Sequence, residues 1–267
     1  ALEGEEDAMD SCGTGGGIPT FNLSTASAIV LAACGVKVAK HGNRGVTSKC
    51  GSADVLETLG IKVEVEAGEA KRMLNTLGIT FLYAPKYHPA MRHVGPVRRE
   101  LGVRSVFNLL GPMVNPAKVK RQVIGVYEPS HTTVLAEALL AMGLEKGCVV
   151  HGMDGLDEVS PCAPTQIVWI ERSGIRSQVV SPEDFGLEIL PFKAMAPSET
   201  LEGSAEAIQE AVSDVSSQRA LALLPNVATC LVVAGVTNDF KEAANIGKEA
   251  IRDGRAVKVL ESWVNWK

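Results

Sequence analysis

Three stretches of this chain carry residue types whose spacing could do chemistry. The first is Gly13-Thr14-Gly15-Gly16-Gly17, followed by Thr20-Phe21-Asn22-Leu23-Ser24-Thr25 and an Ala-rich run. Glycines let successive backbone amides converge on an anion. A helix starting just behind them adds free N–H groups and the positive end of its dipole. The hydroxyls of Thr20, Ser24 and Thr25 can meet phosphate oxygens or a phosphate-bound metal. Taken alone, the loop reads equally well as a turn before a capped helix, because glycine clusters are common at turns. It is neither a Walker loop nor a dinucleotide fingerprint.

The second stretch is Lys40-His41-Gly42-Asn43-Arg44, with Thr47 and Ser48 behind it. It holds three potential cations, a glycine and an amide at the end of a short β-prone run. Lys40 and Arg44 suit phosphate charge, and Asn43 can donate and accept at once. In isolation it would read as a solvated basic turn. In α/β proteins, however, ligands sit outside the carboxyl ends of strands, so this turn should face the same crevice as the glycine loop. The third stretch is Asp157-Glu158, beyond an apolar run and a Gly-rich loop. Adjacent carboxylates there suit Mg²⁺ held jointly with substrate phosphates. General acid–base work and a plain acidic turn are the other readings. Arg98 and Arg99 follow Pro96; either could grip a carboxylate with two hydrogen bonds, though a surface arginine is the commoner case. His88 and His93 lack metal-ligand spacing and read as packing residues.

The surrounding pattern supplies elements to position these groups. Residues 24–34 read as a buried helix with Ser24 or Thr25 at its start. Residues 53–59 and 67–77 read as helices closed by Gly60 and Gly78. Short apolar runs at 36–39, 79–84, 122–127 and 148–151 alternate with helical patterns at 91–101 and 131–142. That alternation predicts an α/β fold, a mainly parallel central sheet flanked by helices. Residues 166–171 and 177–180 read as paired strands. The tail from Ser204 is mostly helical, with Pro225 expected to interrupt a helix at 219–234. The breaker-rich segment 85–116 reads as a hinge or an active-site wall.

Composition bounds the function. The 267 residues carry 26 Lys and Arg against 31 Asp and Glu, a formal charge of −5. That gives no electrostatic footprint for bulk nucleic-acid or anionic-membrane binding. Aromatics are 4%, too few for a base-stacking surface, and hydrophobic residues are 46%, enough for a sizeable core. No apolar run reaches the roughly 18 residues of a membrane span. The six cysteines, Cys12, Cys34, Cys50, Cys148, Cys162 and Cys230, show no zinc or redox spacing and read as reduced thiols in a cytoplasmic protein. The acidic start lacks the pattern of a signal peptide. A chain that begins so near a glycine loop is expected to be a piece of a longer protein.

Six motifs in order are specific enough to name a family. They are Gly13-Thr14-Gly15-Gly16, Thr20-Phe21-Asn22-Leu23-Ser24-Thr25, Lys40-His41-Gly42-Asn43-Arg44, Gly51-Ser52-Ala53-Asp54-Val55-Leu56-Glu57, Asn108-Leu109-Leu110-Gly111-Pro112 and Asp157-Glu158-Val159-Ser160. Over about residues 10–164 this series resembles anthranilate phosphoribosyltransferase, of the nucleoside phosphorylase and phosphoribosyltransferase family. The resemblance implies transfer of the 5-phosphoribosyl group from phosphoribosyl pyrophosphate to anthranilate, with pyrophosphate released, in tryptophan biosynthesis. It implies that Gly13, Thr14, Gly15, Gly16, Thr20, Asn22, Ser24, Thr25, Lys40, His41, Gly42, Asn43, Arg44, Ser48 and Ser52 bind phosphoribosyl pyrophosphate. It implies that Gly13, Asn43 and Arg98 meet anthranilate, that Ser24, Asp157 and Glu158 bind Mg²⁺, and that Lys40, Arg98, Asp157 and Glu158 act in catalysis. It also implies a smaller helical domain beside the α/β domain of residues 1–267, with about 51–78 and 88–115 contributing to it. Helices ahead of the glycine loop would complete that domain and make a homodimer contact.

Two features depart from the family pattern. Members usually have an Asp right after Gly-Thr-Gly-Gly and four residues before Thr-Phe-Asn; here Gly17-Ile18-Pro19 supply three and no Asp. Cys50 stands where a Ser is more usual. Two other readings share the fold: a pyrimidine nucleoside phosphorylase, whose phosphate motifs differ from residues 40–44, and a non-catalytic nucleic-acid-binding relative. The second should be basic and should lack the acidic pair.

Overall fold

The computed structural model describes residues 2–45, 50–89 and 107–267. Ser48, Arg98 and Arg99, and the helix expected at 91–101, lie outside the described residues. The strands are β1 (Met9–Gly13), β2 (Val38–Gly42), β3 (Ile79–Tyr83), β4 (Arg121–Gly125), β5 (Lys146–Gly152), β6 (Thr165–Glu171) and β7 (Gly174–Val180). They form one sheet in the order β3-β2-β1-β4-β5-β6-β7. From β3 across to β5 the neighbours run parallel; β6 and β7 are antiparallel additions. This is the mainly parallel α/β architecture the alternating pattern predicts.

The helices are α1 (Leu23–Ala33), α2 (Ser52–Thr58), α3 (Ala67–Leu77), α4 (Ala84–Tyr87), α5 (Phe107–Met113), α6 (His131–Ala141), α7 (Leu201–Ser213), α8 (Gln218–Ala234), α9 (Phe240–Arg252) and α10 (Arg255–Val264). Alternation along the strands decides which helices cover which face. Val123, Cys148, Val150, Ile167 and Trp169 point into the larger core with α1 and α7–α10, and α2 and α3 bury side chains in that same core. Ile124, Val149, Val168 and Ile170 point to the opposite face, where α6 packs with Leu135, Ala136 and Leu139. Helix α1 is apolar on all sides because other elements surround it; Leu23 and residues 25–32 are all buried.

Two expectations need correction. Pro225 does not interrupt its helix: α8 runs unbroken from Gln218 to Ala234. The missing N–H costs about 3 kcal/mol. That is offset because Leu223, Leu224, Val227 and Leu231 are buried, each contributing about 1.5–3 kcal/mol. The sequence reading also found no strand at Met9–Gly13. Yet β1 is the middle of the parallel half of the sheet, with Asp10 and Ser11 buried in it.

Chain order creates the crevice. From β1 the chain steps outward to β2 and β3, then returns to place β4 on the other side of β1. The loops leaving β1 and β4 therefore diverge, and ligands of open α/β sheets bind at such a reversal. Among the described residues no single helix is long and apolar enough to cross a membrane.

At the far end of the chain, α10 anchors to the core through Trp263, which is 1% exposed and donates its ring N–H toward the Met73 sulfur of α3 at 3.1 Å. Trp263→Ala is expected to cost about 3–5 kcal/mol, read as a lower midpoint in urea unfolding. A midpoint unchanged from the parent chain would show that α10 is not part of the cooperative core.

Candidate active site

The acidic pair sits where β1 and β4 separate. Gly13 pairs with Gly125 across these strands. A Cβ on Gly13 would lie 2.3 Å from Asp157 Oδ2, and one on Gly125 would lie 1.7 Å from the Asp157 carbonyl oxygen. Only glycine at both places lets the loop after β5 reach the switch point. Gly15 and Gly16 adopt left-handed backbone, φ 71° and 90°, which turns the glycine loop over the strand end. In that turn the Gly15 N–H donates to Asp157 Oδ2 at 2.8 Å, and the Thr14 N–H donates to the Gly125 carbonyl at 2.8 Å. Glu158 lies near the backbone N–H of Ser24 in the first turn of α1, which favours its ionised form. The two acids thus lie at two different anion-type loops.

The acid-bearing loop is fixed from behind. The Ser160 hydroxyl donates to Asp154 Oδ2 at 2.6 Å. Asn226, buried on α8, accepts the Val159 N–H at 2.9 Å and donates back to the Val159 carbonyl at 2.8 Å. Lys40 enters the same region from β2. It is 1% exposed, and its ammonium donates to the Ser11 carbonyl at 2.9 Å and to Ser24 Oγ at 3.2 Å. Ser24 accepts from Lys40, so its own O–H stays free to donate.

Charge is unbalanced here. Burial and the Asp157 carboxylate push Glu158 up to about 8, against the pull of Lys40. Burial also raises Asp157, against the Gly15 N–H that it accepts. Two adjacent carboxylates whose ionised forms are disfavoured mark a place where a further positive charge would be stabilising.

The remaining expected residues fall around this centre. The hydroxyls of Thr14 and Thr25 are buried and have no hydrogen-bond partner among the described residues. Thr20 lies at half exposure on the chain between the glycine loop and α1. Asn22 takes a left-handed backbone at the start of α1 and donates its side-chain amide to the Cys50 carbonyl at 3.1 Å. That bond ties the 20–25 stretch to the residues just ahead of α2. Asn43 is exposed and its carbonyl accepts the Ala53 N–H at 3.2 Å, next to half-buried Ser52. Arg44 is drawn toward α2: its guanidinium pairs with Glu57 at 2.5 and 2.8 Å and with Asp54 at 3.2 Å. His41 is not a third cation. It is buried edge-on against His88, and burial with that neighbour lowers its pKa to about 4.

Residue type and spacing give Asp10, Asn115, Gln122 and Asn226 no functional role in the sequence analysis. Each is a polar residue buried inside a strand or helix, or between them. Such residues do leave a signal: a lone polar residue within an apolar run, as Asn226 stands within residues 220–228.

Comparison with known proteins decides the family. Residues 5–257 match the family model described as glycosyl transferase family, a/b domain. An anthranilate phosphoribosyltransferase of Herpetosiphon aurantiacus is 47% identical over 99% of this chain and 79% of its own length. One from Desulfatibacillum aliphaticivorans is 44% identical over 97% of this chain and 76% of its own length. The chain belongs to the anthranilate phosphoribosyltransferases. Among solved structures, the Thermus thermophilus anthranilate phosphoribosyltransferase superposes with a TM-score of 0.90 at 39% identity, covering 97% of this chain and 78% of that one. The Saccharomyces cerevisiae enzyme in complex with PRPP and Mg superposes at 0.87 with 32% identity, over 97% of this chain and 73% of that one.

In this phosphoribosyltransferase fold the donor set suits a hard dication. Two carboxylates and a serine hydroxyl offer oxygen, and no His or Cys competes in a cluster of three among the described residues. Mg²⁺ keeps several waters and takes one or two carboxylates plus substrate phosphates, so a full protein cage is not needed. The raised proton affinity of the pair is the observation that fits it.

Glu158 also makes a prediction about stability. It holds its proton more tightly in the folded chain than in the unfolded one, whose ordinary value is 4.5, against about 8 folded. Between those limits the folded state binds more protons, so the contribution is complete below the lower value and is lost as pH rises through the upper one. Urea midpoints measured without metal should therefore fall from about pH 5 to about pH 8 more steeply for the parent chain than for Glu158→Gln. Parallel curves would show that Glu158 is not the strained group.

Proposed function

We propose that this chain transfers the 5-phosphoribosyl group from phosphoribosyl pyrophosphate to the amine of anthranilate. The products are N-(5-phosphoribosyl)anthranilate and pyrophosphate, and the step belongs to tryptophan biosynthesis. The observation that carries the reading is the meeting of the glycine loop, the start of α1, Lys40 and the acidic pair at one switch point. Both acids are present and the net charge is −5, which weighs against a nucleic-acid-binding relative.

The chemistry follows from where charge develops. Breaking the bond between C1 and pyrophosphate builds positive charge on the ribose ring and negative charge on the leaving group. Preorganised donors aimed at that leaving group give the largest help. The Lys40 ammonium and the unpartnered hydroxyls of Thr14 and Thr25 are proposed as those donors, brought together by the glycine loop and the first turn of α1. Burial strengthens Lys40, because water screens it little. Asp157, Glu158 and Ser24 would hold Mg²⁺, which supplies charge neutralisation on the phosphates when bound. Anthranilate's amine is a neutral nucleophile, so the protein's second task is orientation rather than deprotonation. Gly13, Asn43 and Arg98 are proposed for it, through the amine and the carboxylate. Thr14, Thr20, Asn22, Thr25, His41, Gly42, Arg44, Ser48 and Ser52 are proposed to shape the phosphoribosyl pyrophosphate site. Arg44 does so here by holding the end of β2 against α2 through Asp54 and Glu57.

The combined variant Asp157→Asn, Glu158→Gln is expected to lower kcat by about two orders of magnitude or more and to flatten the dependence of rate on Mg²⁺ concentration. Steady-state kinetics across a Mg²⁺ series checks this. Parent-like rates with a parent-like Mg²⁺ response would remove the acids from the mechanism.

A further inference from the structure

The sheet is split beside the candidate site. Strand β2 stays in register with β3 from Val38 to Gly42, and β1 stays in register with β4 from Met9 to Gly13. Between β1 and β2 the register is Met9↔Val38 and goes no further. Beyond that point the ladder between the two strands stops, toward the end of the sheet where the crevice lies. Backbone groups facing a gap inside a protein must find partners or cost stability.

Here side chains take those groups. The His41 N–H donates to Asp10 Oδ1 at 3.2 Å. The Ala39 carbonyl accepts from Asn115 Nδ2 at 2.8 Å, and the Ser11 carbonyl accepts from Lys40 Nζ at 2.9 Å. Asp10 is the hub of this set. Its second oxygen accepts from Asn115 Nδ2 at 2.9 Å and from Gln122 Nε2 at 3.4 Å. Asp10 is 0% and Lys40 is 1% exposed, and Lys40 is the one buried lysine or arginine among the described residues. A buried ammonium needs a nearby negative charge, and Asp10 reaches Lys40 through the next backbone N–H along β2, that of His41, which it accepts at 3.2 Å.

We propose that Asp10 is a positioning residue for the transferase reaction: through the His41 N–H and the Asn115 amide it ties β2 to β1 on both sides of Lys40 and so keeps that side chain directed into the crevice. Asp10 acts through Lys40 and does not itself meet substrate. The inference rests on the placement of Lys40 at the phosphates under the proposed function.

Every contact Asp10 makes is as an acceptor, on both oxygens. An amide in its place sets a donor against a donor whichever way it turns: against the His41 N–H, or against Asn115 and Gln122. Asp10→Asn keeps size and removes the function, which makes it the informative change. The test is a cycle of the parent chain, Asp10→Asn, Lys40→Met and the double variant. The readouts are KM for phosphoribosyl pyrophosphate, KM for anthranilate, and calorimetric affinity for phosphoribosyl pyrophosphate. Lys40→Met is expected to raise the phosphoribosyl pyrophosphate KM about ten-fold or more. Asp10→Asn should raise it by a similar factor and leave the anthranilate KM within about two-fold. The double variant should be no more than about two-fold worse than Lys40→Met, because residues acting as one unit do not add.

Multiplying effects in the double variant, or an unchanged phosphoribosyl pyrophosphate KM in Asp10→Asn, would overturn the inference while leaving Lys40 in its role. An unchanged value in Lys40→Met would instead overturn the phosphate role of Lys40, and this inference with it. If Asp10→Asn does not fold, Asn115→Leu takes its place in the cycle. It removes the donor to both Asp10 and Ala39, and the same non-additivity with Lys40→Met is expected.

Discussion

The arrangement depends on how closely the loop after β5 approaches the ends of β1 and β4. The Asp157 backbone lies against Gly125, and its side chain lies against Gly13. Nothing larger than hydrogen fits at either place. That contact brings the acidic pair from the β5 side of the sheet to the glycine loop on the β1 side. Without it, the carboxylates, the converging amides and Lys40 would stand at separate strand ends. The Gly15 N–H to Asp157 bond then locks the approach.

The same closeness sets the electrostatics. Asp10 and Glu158 both act on Lys40, the one buried lysine among the described residues, and burial pushes Asp10, Asp157 and Glu158 up. On Asp10, hydrogen bonds from the Asn115 amide and from the His41 and Ser11 N–H groups, together with Lys40, oppose that push. Asp157 and Glu158 each have fewer such donors than Asp10. This asymmetry separates the roles. Asp10 is satisfied within the protein, whereas Asp157 and Glu158 are left to be satisfied by what binds. A site strained toward an incoming dication and its phosphates follows from that difference, and the fold supplies it through the split between β1 and β2.

Much of the site was legible in the sequence because its chemistry is carried by residue type and short spacing. The glycine loop, residues 40–44 and the acidic pair stand out without knowledge of the fold, and strand–helix alternation predicts that they share one edge of a sheet. What was not legible depends on partners far away in the chain. Arg44 reads as a phosphate cation, yet Asp54 and Glu57 engage it. His41 reads as a charge, yet its neighbour His88 and burial keep it neutral. Strand β1 was hidden because Asp10 and Ser11 break the apolar pattern that marks a buried parallel strand. Those polar residues are the ones that the split sheet requires. Pro225 misled in the opposite direction, since burial on every side of α8 outweighs a local rule.

The central claim is that one crevice takes phosphate groups and a dication together. Isothermal titration of the chain with phosphoribosyl pyrophosphate, in Mg²⁺ and again with a chelator, tests it most directly. The account predicts binding in Mg²⁺ that weakens by about ten-fold or more, roughly 1.4 kcal/mol, when the metal is withheld. Equal affinity in both conditions, or no heat at millimolar concentrations in either, would contradict it.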